Sequence, residues 1–186
     1  MRTATDEQER RAIAWFLSSK SEESFCALFD AFYRRLYCYF TARGISGDDG
    51  EELAQDVMFL VYRHAAQLRE VHAFHAWLFQ IAHNEYLQYV RRKASRPATV
   101  EYEPLASYLA ETLSRDEELA DAPLQEWLGG LEHVEREILL LRFVDDLGYP
   151  EISQILGIPV GTVKWRAFTA KEKLGTLMGK TLKRRA

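Results

Sequence analysis

The sequence predicts an all-α fold of two small helical domains joined by an acidic linker, the second containing a helix-turn-helix. Three observations carry this. Apolar residues recur at three- and four-residue intervals, as in Phe25, Leu28, Phe29, Phe32, Leu36 and Phe40. Residues 96–122 carry 2 cations against 7 anions, and two prolines fall between 95 and 122, as in a linker between modules. Tyr149 to Leu174 has the spacing of two short helices joined by a tight turn.

At 186 residues, 47% apolar and 12% aromatic, the chain can bury one ordinary core or two small ones. Its formal charge of -4 is unusual for a nucleic-acid binder, but the charge is unevenly spread. Residues 24–95 carry 8 cations and 8 anions and residues 123–186 carry 10 and 8, so the acid is concentrated between them. The boundaries read from this are an N-terminal extension 1–23, a first domain 24–95, a linker 96–122 and a last domain 123–186.

The first twenty residues are charged throughout and contain no apolar run of signal-peptide or membrane-span length, so neither export nor membrane insertion is expected. Ser21 is a candidate cap for the aromatic-rich helix that follows. RGISGDDG then reads as a turn leading into an acidic helix start, and a second helix is expected from about Glu51 to Gln67. Leu53, Val57, Leu60 and Val61 form its buried stripe, with His64 continuing it. Its other face holds Glu52, Gln55, Phe59 and Tyr62, large groups that serve either a partner or a neighbouring helix.

The third helix, Phe74 to about Lys93, places Phe74, Trp77, Leu78 and Ile81 on one side. A separate, mostly polar arc of Gln80, His83, Asn84, Leu87 and Arg91 leads to Arg92 and Lys93. Cations there suit a helix C-terminus or a phosphate backbone. A short helix near Leu105 to Leu113 is possible within the linker. The last module begins with Leu124, Trp127, Leu128 and Leu131 and runs through REILLLRFV.

In the helix-turn-helix, Ile152, Ile155 and Leu156 face inward from the first helix, and Val163, Ala167, Ala170 and Leu174 from the second. Gly157 can end the first with positive φ, and Pro159 can open the second. Trp165, Phe168, Thr169 and Glu172 then point outward, flanked by Lys164, Arg166, Lys171 and Lys173. Such a helix can enter a major groove; a plain two-helix corner is the alternative, and two exposed aromatics argue against it.

Cys26 and Cys38, twelve residues apart, read as reduced core thiols of a cytoplasmic protein. An enzyme or metalloprotein built on His64, His72, His75 and His83 is disfavoured, because no cysteine or carboxylate completes a ligand set and no phosphate loop or nucleophile motif occurs. No catalytic residue, metal or cofactor is called for.

EELAQDVMFLVYR with FHAWLFQIAHNEYLQYVRR, and LEHVEREILLLRFVDDLGYPEISQILGIPVGTVKWRAFTAKEKL beyond the linker, resemble the extracytoplasmic-function (ECF) sigma factors of the sigma-70 family. The resemblance covers about residues 24–95 and 123–175. It implies a non-enzymatic, cytoplasmic subunit that binds core RNA polymerase and directs promoter-specific initiation. Asp49, Glu52, Gln55, Asp56 and Phe59 would bind polymerase, whose contacts in the family are the largest-subunit clamp helices and the flap. Arg69, His72, Gln80, His83, Asn84, Leu87, Arg91 and Arg92 would capture the -10 element as single strands. Lys164, Trp165, Arg166, Phe168, Thr169 and Lys171 would read the -35 element. The linker would thread toward the polymerase active-site and RNA-exit region. An anti-sigma partner is implied by the family's habit.

Several positions depart from the family. Trp165 stands where a small polar residue is common, Thr169 for an arginine, Glu172 for a basic residue, Glu85 for a leucine and Gln88 for an aspartate. These imply a less basic reading helix, with a shallower salt dependence and an unusual -35 preference. The competing reading is a stand-alone helix-turn-helix regulator with an N-terminal sensing or dimerising module, which would bind its duplex without polymerase.

Overall fold

The computed structural model describes residues 2–45, 47–68, 70–94 and 129–185. Among them every regular element is helical: α1 Arg2–Ser19, α2 Glu22–Thr41, α3 Asp48–His64, α4 Phe74–Ala94, α5 His133–Phe143, α6 Tyr149–Leu156 and α7 Val160–Arg185. Single 3-10 turns at Ala65–Gln67 and Val71–Ala73 lie between α3 and α4. The fold is all-α, as the apolar spacing predicts. The chain divides into two compact units, Met1–Thr41 with Ile45–Glu101 and Ala42–Gly44 with Tyr102–Ala186. The linker, its possible short helix, and Leu124, Trp127 and Leu128 lie outside the described residues.

In the first unit α2 packs against α1 and α3, and α3 against α4. Ser21 caps α2 as its position suggests, its Oγ accepting from the Ser24 N–H at 3.3 Å. Leu28, Phe32, Leu36, Tyr39 and Phe40 of α2 meet Leu53, Val57, Met58 and Val61 of α3 and Phe74, Leu78 and Phe79 of α4 in a fully enclosed core. The turn into α3 needs Gly50, since a Cβ there would lie 2.9 Å from the Ile45 carbonyl oxygen. Burial of Phe79, Ala82 and Tyr86 turns the inward face of α4 away from Trp77 and Ile81, which are only half-buried.

The N-terminal residues, to which the sequence assigns no role, form α1. Ala12, Ile13 and Phe16 are buried, and Phe16 meets the rings of Phe25 and Tyr62 at 5.8 and 6.4 Å between centroids. Glu9 is buried beside them. It accepts from Arg35 of α2 at 3.1 Å and lies 2.9 Å from His75 Nε2 of α4, so one carboxylate ties α1 to two other helices. Burial pushes this carboxyl up, but the hydrogen bond and charge of His75 and the charge of Arg35 together hold it below its ordinary value.

Of the two cysteines only Cys38 is a core thiol; Cys26 lies on the exposed side of α2. No helix among the described residues is long and apolar enough to cross a membrane.

In the second unit Leu131, Leu139, Leu140 and Ala170 form a core against which Val144 and Leu174 pack. At the start of helix α5 the Glu135 side chain reaches back to the N-cap, the Glu132 N–H donating to Glu135 Oε2 at 3.1 Å. At the start of α6 the Gly148 N–H donates to Glu151 Oε2 at 2.6 Å, and Pro150 sits in the first turn, where a missing N–H costs little.

Candidate nucleic-acid and polymerase interfaces

The turn of the helix-turn-helix is built at Gly157, which ends α6 in the left-handed region at φ 65° and ψ 29°. The Ser153 hydroxyl fastens it by donating to the Ile158 carbonyl at 2.6 Å. Pro159 stands just before α7, its carbonyl accepting from the Val163 N–H at 3.0 Å. Val163, Ala167 and Ala170 are buried, and with Ile152 and Ile155 they hold α6 against α7.

The outward side of α7 follows. Trp165 and Phe168 are each 62% exposed, and Lys164, Lys171 and Glu172 are exposed beside them. Arg166 and Thr169 are half-buried. Arg166 leans on Glu132 at 3.0 Å, and the Thr169 hydroxyl donates back to the Trp165 carbonyl at 3.0 Å. Phe143, which ends α5, is 50% exposed and carries the Lys171 ammonium 4.7 Å from its ring centroid. Nothing in the sequence spacing singles Phe143 out, because it closes an otherwise buried run, Ile138 to Leu141.

On α4, Gln80, Asn84, Leu87 and Arg91 form one accessible stripe, with Arg92 exposed beside it. Asn84 accepts from Gln80 at 3.4 Å. His83 does not face outward with them. It is buried, with Nδ1 3.3 Å from the Tyr39 hydroxyl, because the inward face of α4 is rotated toward it. His72 is exposed and pairs with Glu70 at 2.9 Å. Arg69 lies outside the described residues. Glu85, at an apolar position by spacing, is half-buried and accepts from Gln88 at 3.1 Å.

On α3, Glu52, Gln55, Asp56 and Phe59 line an exposed side, Phe59 at 58% and its neighbour Tyr62 at 49%. Phe59 and Tyr62 join Phe25, Phe29 and Met58 around an open groove of about 510 Å³, with Gln55 at its edge. Neighbouring helices cover this face only in part: Tyr62 meets the rings of Phe16 and Phe25, while Phe59 stays open. Phe25 and Phe29 are its unforeseen members: their spacing matches the α2 core stripe, yet both are only half-buried.

Asp49 lines one cleft with Glu52 and Asp56, but its carboxylate is engaged internally. It accepts hydrogen bonds from the Tyr89 hydroxyl at 2.5 Å and Lys93 Nζ at 2.9 Å, tying the start of α3 to the end of α4. The Tyr89 hydrogen bond, then that of Lys93, holds its carboxyl below the ordinary range. Among the described residues no group of three or more His, Cys, Asp or Glu side chains could hold a metal ion.

Comparison with known proteins assigns both units. Residues 28–96 match sigma-70 region 2, and residues 122–174 match sigma-70 region 4. Similar relatives include the ECF RNA polymerase sigma-E factor of Haemophilus influenzae, 28% identical over 156 residues, 76% of this chain and 81% of that one. The sigma-E factor of Escherichia coli K12 is 29% identical over 154 residues, 76% of this chain and 80% of that one. Among solved structures, CnrH, in complex with the cytosolic domain of CnrY, aligns with TM-score 0.65 and 22% identity over 93% of this chain and 98% of that one. The sigma factor RpoE of Bartonella quintana, in complex with the anti-sigma factor NepR, aligns with TM-score 0.62 and 19% identity over 84% and 98%. The chain belongs to the sigma-70 family and is an RNA polymerase sigma factor of its extracytoplasmic-function group.

Proposed function

We propose that this sigma factor clamps a promoter at two points, with α4 holding the -10 element as single strands and α7 reading the -35 duplex. The observation that carries the reading is α7 itself, a capped helix-turn-helix whose outward side presents Lys164, Trp165 and Phe168. Arg166, Thr169 and Lys171 complete its contact set. In the first unit, the stripe Gln80, Asn84, Leu87 and Arg91, with His72, Arg69 and Arg92, is the strand-capturing set. His83 orients α4 from within rather than touching DNA. Unpaired bases offer faces and edges to such side chains, so melting draws on binding energy without nucleotide hydrolysis, and the protein is not an enzyme.

Glu52, Gln55, Asp56 and Phe59 are the polymerase-docking residues, taking the largest-subunit clamp helices. The flap is the docking point for the last domain, 123–186. Asp49 supports that surface through Tyr89 and Lys93. The relevant boundaries are 24–95 and 123–186, with residues 96–122 threading toward the polymerase active-site region. The protein works in the cytoplasm, and the solved complex of RpoE with the anti-sigma factor NepR supports an anti-sigma partner for this chain as well.

A mobility-shift assay with a promoter duplex tests the reading. Little specific binding is expected from the chain alone and a shifted complex once core polymerase is added. A specific shift without polymerase would favour a stand-alone regulator.

A further inference from the structure

Helix α7 presents an unusual outward chemistry for a groove reader. Its two most prominent side chains, Trp165 and Phe168, are each 62% exposed, and they lie on adjoining rows three residues apart. The polar groups around them are engaged internally. Arg166 is drawn to Glu132, Lys173 to Glu135, Lys171 to the face of Phe143, and the Thr169 hydroxyl proton to the Trp165 carbonyl. Among the described residues Lys164 alone of the four cations on this helix between 160 and 174 has neither an ion-pair nor a ring partner.

A duplex offers such a surface one apolar feature in its major groove, the C5-methyl group of thymine; the other displayed groups are hydrogen-bond donors and acceptors. Three residues along a helix rise about 4.5 Å, so the two rings are near enough to each other to reach neighbouring base pairs, which are spaced about 3.4 Å apart. The flanking charge suits DNA, with Lys164, exposed beside the aromatic pair, placed to meet a phosphate.

We propose that Trp165 and Phe168 read the -35 element through the methyl groups of thymines in two successive A·T pairs, so that specificity there rests on apolar contact more than on hydrogen bonding. This rests on the assignment of α7 to the -35 duplex. It specifies which base feature that helix discriminates.

The test uses holoenzyme assembled from core polymerase and the full chain. Promoter fragments with a randomised -35 region are first selected by transcription, and thymine is expected to be enriched at two successive positions. Replacing those thymines by deoxyuridine removes only the methyls. Promoter affinity should fall about fourfold per methyl, the worth of one buried methylene-sized group. For holoenzyme carrying Trp165→Ala with Phe168→Ala, the thymine-to-deoxyuridine ratio should collapse to about one, even though overall affinity is lower. A wild-type ratio of one, or an undiminished ratio in the double variant, overturns the inference. If transcription depends on the -35 sequence but is indifferent to the methyls, the assignment of α7 stands and only the readout chemistry falls. Indifference to the whole -35 sequence removes both.

Discussion

Lys173 Nζ lies 2.7 and 2.9 Å from the two carboxylate oxygens of Glu135, which joins the reading helix α7 to the first turn of α5. The carboxylate is buried, and its other partner is the Glu132 backbone N–H. One side chain therefore caps α5 and sets the position of α7. Burial raises the Glu135 pKa, but the Lys173 hydrogen bond, the Glu132 N–H and the charges of Lys173 and Arg166 outweigh it, so the net shift is downward.

A depressed carboxyl pKa stabilises the fold above its unfolded value and loses that contribution as pH falls through the folded value. The second unit should therefore weaken as pH drops below about 4.5, the ordinary glutamate value. Glu135→Gln should flatten this dependence, and Lys173→Ala should cost about 2 kcal/mol at neutral pH, as for a hydrogen bond to a charged group. Thermal melts followed by circular dichroism between pH 7 and pH 3 give both readings. An unchanged pH profile for Glu135→Gln would remove Glu135 as the source.

Gly157 holds the turn in the left-handed region, at φ 65°. Space is not the constraint, since an added Cβ would meet nothing within 4 Å. Gly157→Ala should thus destabilise through backbone strain alone, by about 1–2 kcal/mol. Denaturant titration should show a lower midpoint with an unchanged slope.

Glu9 supports α1 from a buried position between Arg35 and His75. Glu9→Ala leaves those two groups without their carboxylate and should cost about 1–3 kcal/mol. Hydrogen exchange should show α1 opening faster, while the centre of α3 stays protected. Equal loss of protection in both helices would mean that α1 has no separate stability.

The exposed side of α3 is the most direct handle on polymerase binding. Gln55→Ala with Phe59→Ala should weaken holoenzyme formation about tenfold or more, as truncation of an aromatic anchor does. Helical content should not change, because both side chains are exposed. A pull-down with core polymerase reads the effect, and undiminished recovery counts against the assignment.

How far the sequence could be read follows from how its polar residues are used. The helix-turn-helix was legible because its buried positions are all apolar and its turn carries Gly157, a residue chosen for backbone conformation. Helix α1 was not, since one of its inward positions is Glu9, made tolerable by partners 26 and 66 residues away. His83 misled for the same reason: periodicity counts it as polar, while Tyr39, on another helix, lets it be buried. Cys26 erred the other way, an apolar-looking residue left outside the α2 core stripe. Phe25 and Phe29 match the core spacing but stop half-covered, because only the packing of α3 against α2 shows where the core ends.

Run-off transcription by core polymerase, with and without the full chain, over templates selected from a promoter library tests the central claim most directly. Transcripts should appear only when the chain is present, should fall when the -10 or the -35 sequence is altered, and should fall again with Lys164→Ala or Arg166→Ala. Transcription indifferent to the chain, or unaffected by these substitutions in folded protein, would contradict the two-point clamp.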